Sequence, residues 1–87
     1  MTRSTETVVT TRCLCCGYKT LSLPGALDLC QVCWWQDDGQ DDGDSYVVRG
    51  TVNGDLSLAE ARMNFGLYGA AHPRFKSHVR AAREDER

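Results

Sequence analysis

Cys13-Leu14-Cys15-Cys16-Gly17 and Cys30-Gln31-Val32-Cys33 are the stretches that decide the fold. They hold every cysteine of an 87-residue chain, five in all. Read as pairs, Cys13/Cys16 and Cys30/Cys33 are two C-x-x-C turns with thirteen residues between them. A C-x-x-C turn brings two sulfurs onto one ion, and two such turns facing each other supply the four thiolates of a closed tetrahedral zinc site. Gly17 follows the first pair and permits a backbone turn that a bulkier residue would resist. One structural zinc ion on Cys13, Cys16, Cys30 and Cys33 is therefore expected.

Other uses of the cysteines fit less well. A disulfide framework would spread them along the chain, and five is an odd number. A thioredoxin-like redox motif needs one pair in a larger βαβ pattern, which is not seen here. Cys15 is left over. It reads as a bystander pointing away from the metal, with a reactive thiol or a ligand swap with Cys13 or Cys16 as alternatives.

Outward from the cysteines, Val8 and Val9 suggest a short strand leading in, and Tyr18 to Leu21 a strand leading out. Leu23-Pro24-Gly25 marks a turn, and Leu27 and Leu29 lead into the second pair. Tyr46-Val47-Val48 suggests another short strand, and Asn53-Gly54 another turn. Ser57-Leu58-Ala59-Glu60 has the form of a capping box. Leu58, Ala61, Phe65 and Tyr68 then recur on one helical face, and Gly69 is placed to stop the helix. Pro73 can open a second short helix with Phe75, Val79 and Ala82 on one face. The fold expected is a small metal-stabilised α+β domain: a zinc ribbon of short antiparallel strands, one C-terminal helix and a further short helical segment. Residues 1–12 read as a flexible segment, 13–82 as a single domain and 83–87 as a frayed charged tail.

A chain this short buries little core, which is why a metal is a natural support. The first twelve residues lack the apolar run of a signal peptide, and no stretch is long enough to span a membrane. A reducing, cytoplasmic setting is expected, where thiols bind metals more often than they form disulfides. The net charge of −2 is uneven: about +1 over residues 1–12, −5 over 13–56 and +2 over 57–87. That is not the basic balance of a general nucleic-acid binder.

Asp38 to Arg49 loosely follows a calcium loop, but Arg49 stands where a bidentate Glu is required, so Asp37, Asp38, Asp41, Asp42 and Asp44 read as a solvated acidic loop. Adjacent Trp34 and Trp35 point to opposite faces of extended chain, which makes an exposed one a candidate protein-binding residue. His72 and His78 read as surface histidines. Arg74, Lys76, Arg80 and Arg83 are candidate nucleic-acid contacts, with Lys76, Arg80 and Arg83 lining one face of the second helix; the same pattern also describes the wet side of an amphipathic helix.

Taken together, Cys13-Leu14-Cys15-Cys16-Gly17-Tyr18-Lys19-Thr20-Leu21, Cys30-Gln31-Val32-Cys33-Trp34-Trp35-Gln36-Asp37-Asp38-Gly39, the Ser57–Phe65 stretch and Arg74–Arg80 resemble the small bacterial cysteine-rich CPCC proteins. The likeness covers about residues 13 to 80. Leu14 stands where that family has the proline of its name. The resemblance supports the fold and the metal and implies no substrate or partner.

Three functions follow as expectations: a protein-binding or adaptor module, a nucleic-acid-binding zinc ribbon, and a thiol redox or metal-sensing protein using Cys15. No catalytic constellation is present, and four thiolates leave no open position on the ion for water, so an enzyme is not expected.

Overall fold

A short hairpin carries the first cysteine pair. In the computed structural model, which describes residues 11–87, β1 (Thr11–Arg12) pairs antiparallel with β2 (Lys19–Leu21). Thr11 faces Leu21 and Arg12 faces Lys19, with a bulge between the two pairings. The strand read at Tyr18–Leu21 is thus present as Lys19–Leu21, and the one read at Val8 and Val9 lies outside the described residues. Leu21 is buried, as the inward residue of a strand with one wet face should be.

The second cysteine pair sits on a looser hairpin. Leu27 N donates to Asp37 O at 2.8 Å, Asp37 N to Asp28 O at 2.9 Å, and Leu29 bridges Gln36. The acidic run that follows is not simply solvated. Asp37 is buried, and its carboxylate accepts from Gly25 N at 2.7 Å and Gly39 N at 3.2 Å. Arg49 holds Asp44 and Arg62 holds Asp42, each at 2.7 Å. Carboxylates here close backbone turns, because a buried N–H needs an acceptor and an aspartate is the nearest one.

Gln40 links this loop to the helix. Its side chain is buried, donates to the carbonyls of Asp44 and Val47, and accepts from Leu58 N at 3.1 Å. It satisfies one of the orphan amides at a helix start. No strand forms at Tyr46-Val47-Val48. All three side chains are exposed, and the backbone bonds nearby go to a turn, Val47 N to Asp44 O at 2.9 Å. A β-rich triplet needs a neighbouring strand, and among the described residues none lies beside it.

The helix α1 (Leu58–Tyr68) begins and ends where its residues say it should. Ser57 Oγ accepts from Glu60 N at 3.1 Å, and Gly69 closes the helix in the left-handed region at φ 75°. Leu58 and Ala61 are fully buried, Phe65 is half-buried and Tyr68 is exposed, so the apolar face is covered mainly over the first two turns. Replacing Ser57 with Ala should cost about 1 kcal/mol, the usual value for a lost Ser N-cap. Thermal unfolding of the metal-loaded protein measures it, and an unchanged midpoint would place the start of the helix elsewhere.

The segment after Pro73 is a correction to the expected second helix. Pro73–Phe75 forms one 3-10 turn capped by His72, a further turn follows over residues 76–78, and residues 79–83 then form no regular element. Lys76, Arg80 and Arg83 therefore share no helix face. Backbone bonds made to the second cysteine turn explain why: Ala71 N reaches Cys33 O at 2.7 Å and Arg80 N reaches Gln31 O at 3.2 Å. Tertiary partners replace the helical ones.

The charged end, read as a frayed tail, forms a 3-10 turn of its own, Glu84–Glu86. Arg80 grips Glu86 through both nitrogens at 2.8 Å, and Arg83 N donates to the same carboxylate at 2.8 Å. The Arg80 guanidinium first, and the Arg83 amide second, pull Glu86 from the usual 4.5 to about 2. A depressed carboxylate contributes stability that is complete above its unfolded value and disappears as the pH falls through its folded value. The terminal turn should hold above about pH 5 and loosen between 4.5 and about 2. Amide exchange at Arg83–Arg87 reports it, and Glu86→Gln should remove the pH dependence of that segment.

The core is one cluster of Cys13, Cys15, Leu21, Cys30, Val32, Cys33, Trp35, Leu56, Leu58, Ala61 and Ala71. The sulfurs lie at its centre, between the two hairpins and α1. Among the described residues no helix is long and apolar enough to cross a membrane.

Candidate metal centre

The two cysteine turns are built alike. In the first, Gly17 N donates to Cys13 O at 2.7 Å and Cys13 N to Tyr18 O at 2.8 Å. In the second, Trp34 N donates to Cys30 O at 2.8 Å and Cys30 N to Trp35 O at 2.9 Å. Each turn needs a left-handed residue immediately after its second cysteine. The first uses Gly17, at φ 85°, and the second uses Trp34, at φ 74°. Glycine takes that conformation freely, whereas an L-residue with a Cβ loses about 1–2 kcal/mol in it.

The four sulfurs of Cys13, Cys16, Cys30 and Cys33 lie within 4.8 Å of one another. Cys13 and Cys33 are 3.5 Å apart and Cys16 and Cys30 3.7 Å. A tetrahedral ion with metal–sulfur bonds of about 2.3 Å needs sulfur–sulfur edges of roughly 3.8 Å, so the donor set fits one ion with little movement. Cys13, Cys30 and Cys33 are buried and Cys16 is half-buried. All five cysteines are free thiols.

Crowding divides the thiols. Hydrogen bonds from Cys13 first, then Cys16 and Cys33, hold Cys30 well below its ordinary value, and Cys16 draws Cys13 down. Cys16 and Cys33 are pushed well up, each chiefly by Cys13. A first thiolate is welcome because its neighbours donate to it. Four together repel one another at low dielectric unless a cation lies between them. The Thr20 hydroxyl donates to Cys30 Sγ at 3.0 Å and Trp35 N to Cys33 Sγ at 3.4 Å, outer contacts that hold ligand sulfurs in place.

Cys15 stands outside this cluster but is buried in the core at 8% exposure, beside Cys33. It is packed rather than presented to solvent. Leu14, in the same turn, is exposed, and its carbonyl accepts from Arg62 Nε at 2.7 Å. That bond ties the first turn to α1.

The tryptophans separate as adjacent residues should. Trp35 is buried at 1% exposure beneath the sulfurs, while Trp34 is half-buried and stacks on His78 with centroids 5.2 Å apart. His72 sets its edge against Phe75, and the Arg74 guanidinium lies 4.9 Å over the same ring. Of the histidines expected at the surface, His78 is exposed and stacks on Trp34, while His72 is half-buried against Phe75. Of the basic candidates, Arg74 and Lys76 are exposed, whereas Arg80 is engaged by Glu86. Sequence reasoning passed over Gln40 and Thr20 and read Asp37 as solvated, whereas it is buried. Each is a polar residue in a polar stretch, and only the folded chain shows that they are anchored.

The chain matches no curated protein and no solved structure. It does match the family model described as cysteine-rich CPCC, over residues 11–86, which includes both cysteine turns, α1 and the terminal turn. With nearly the whole chain covered and all four ligand positions in place, this protein belongs to the cysteine-rich CPCC family.

Proposed function

We propose that this chain is a zinc-ribbon module that binds another protein and has no chemistry of its own. The observation that carries the reading is the convergence of four buried or half-buried sulfurs on two matching turns, with Trp34 left at the surface of one of them. Soft thiolates in a tetrahedron favour zinc among the common divalent ions. Bound there, the ion would supply folding free energy, and four protein ligands leave it no open position.

The chain's own residues then do the binding. Cys13, Cys16, Cys30 and Cys33 fix the two hairpins, Trp35 fills the space beneath them, and Trp34 is held outward. A rigid, partly exposed tryptophan rimmed by polar groups matches the anchor of a protein interface. The acidic middle of the chain, at −5 over residues 13–56, disfavours an extended phosphate backbone along this face. Five cysteines with no disulfide among them suit a reducing compartment such as the cytoplasm.

The test combines composition with capture. Native protein should contain about one zinc per chain, and affinity capture from lysate should recover protein that is lost when Trp34 is changed to Gly. Recovery of nucleic acid instead, in a salt-sensitive way and weakened by replacing Lys76 and Arg74, would overturn the protein-binding reading.

A further inference from the structure

Beside the metal centre, on the Trp34 side, the chain forms a cleft of about 370 Å³ lined by Leu29, Trp34, Val52, Asn53, Arg74 and Phe75. Its walls are fixed. Asn53 pairs with the backbone of Gln36 through both ends of its amide, at 3.1 and 2.8 Å, as a strand neighbour would. The Trp34 ring is backed by His78. Arg74 lies over Phe75.

Two features of this cleft are not accounted for by folding. The first is Trp34 itself. The matching turn shows that glycine suffices after the second cysteine, yet a tryptophan is held there at φ 74°. Strain kept at one residue, when the local geometry does not require that residue, points to a role for its side chain. The second is Arg74. Arg49, Arg62, Arg80 and Arg87 each pair with a carboxylate of the chain, whereas among the described residues no side-chain carboxylate pairs with Arg74, Arg12 or Arg83, and of these three only Arg74 lines the cleft. An exposed guanidinium held over a ring beside an apolar wall is prepared for a planar anion.

The surroundings select among anions. Asn53 Nδ2 also contacts Asp38 at 3.3 Å, so a negative charge stands behind one wall of the cleft. A polyanion would meet that charge along its length. A single carboxylate beside an uncharged group meets only Arg74. We propose that this cleft takes a carboxylate presented next to an apolar or aromatic side chain of a partner protein, the carboxylate on Arg74 and the apolar group against Trp34 and Val52. The inference rests on the protein-binding reading above and adds the chemistry that is recognised.

Short synthetic peptides test it on the metal-loaded full chain. One set carries Glu beside Phe or Leu with both ends blocked, against Gln counterparts. A second ends in Phe or Leu with a free carboxylate, against amidated counterparts. Mixed single-stranded RNA serves as the polyanion. At least one carboxylate set should bind about tenfold or more tightly than its amide counterpart, the usual scale of one charge-assisted pair. Which set does so tells a side-chain carboxylate from a chain terminus. Arg74→Gln should abolish the preference, and Trp34→Gly should weaken both members of a pair, with zinc content unchanged in each variant. Equal affinity for carboxylate and amide peptides, still dependent on Trp34, overturns the carboxylate and leaves the protein-binding reading standing. Failure of every peptide to bind, or Arg74-dependent preference for RNA, also overturns the inference. Partner capture from lysate that ignores Trp34 overturns that reading and the inference together.

Discussion

Serine at any one of positions 13, 16, 30 or 33 should leave the chain without its ion and unfolded at room temperature. Metal binding contributes about 10–16 kcal/mol to small zinc domains, while a core of this size supplies roughly 3–5 kcal/mol. Three good ligands and one hydroxyl cannot close that gap. Three of the four sulfurs are also buried, so a weakened site cannot recruit water cheaply as a replacement ligand. Elemental analysis and far-ultraviolet circular dichroism read the result, and a chelator should unfold the unmodified protein until zinc is restored. Cys15→Ser is the control. It lies in the core but outside the sulfur cluster, so metal content should be unchanged and stability should fall modestly. Loss of metal in that variant would show that the ligand set is misassigned.

The second large effect belongs to Trp35. Truncation to Ala removes a fully buried indole from beneath the sulfurs, a change that costs about 3–5 kcal/mol in well-packed cores. The denaturation midpoint of the metal-loaded protein should fall accordingly. Its neighbour behaves differently. Trp34→Gly gives up a stacked ring pair of about 0.5–1.5 kcal/mol and gains back the roughly 1–2 kcal/mol of left-handed strain, so its stability should hardly change. Two adjacent tryptophans with opposite outcomes in one denaturation experiment would establish that one serves the core and the other the surface. A large loss for Trp34→Gly would instead make its ring part of the fold.

Features with a local physical cause could be read from the chain. Ser57 and Gly69 mark α1 because a cap is a bond between near neighbours, and Gly17 marks the first turn because only glycine enters that region without strain. The four-cysteine cluster was legible for the same reason, since C-x-x-C is a local geometry. What escaped depends on distant partners. Tyr46-Val47-Val48 has strand composition but no strand beside it among the described residues, and the Pro73 segment gives up a helix to bond with Gln31 and Cys33. Gln40 looks like a loop residue until Leu58 is brought to it from eighteen positions away. The charged end looked free for a different reason: its clamp, Arg80 to Glu86, is a contact only six positions long, but between charged residues whose composition suggests solvent.

The likeness of the two cysteine turns has a kinetic consequence. Each turn closes on itself through bonds spanning only a few residues, so each can form a two-sulfur half-site before the rest of the chain is organised. Joining the halves then closes a loop of only the thirteen residues between Cys16 and Cys30, a small entropic barrier. The order of assembly expected from contact separation is closure of one turn, recruitment of the other, and only then docking of α1, whose contact with the first turn through Arg62 and Leu14 spans 48 positions. A folding path of this kind starts from either hairpin and converges on the same four-sulfur junction, so slowing one turn would redirect the traffic through the other.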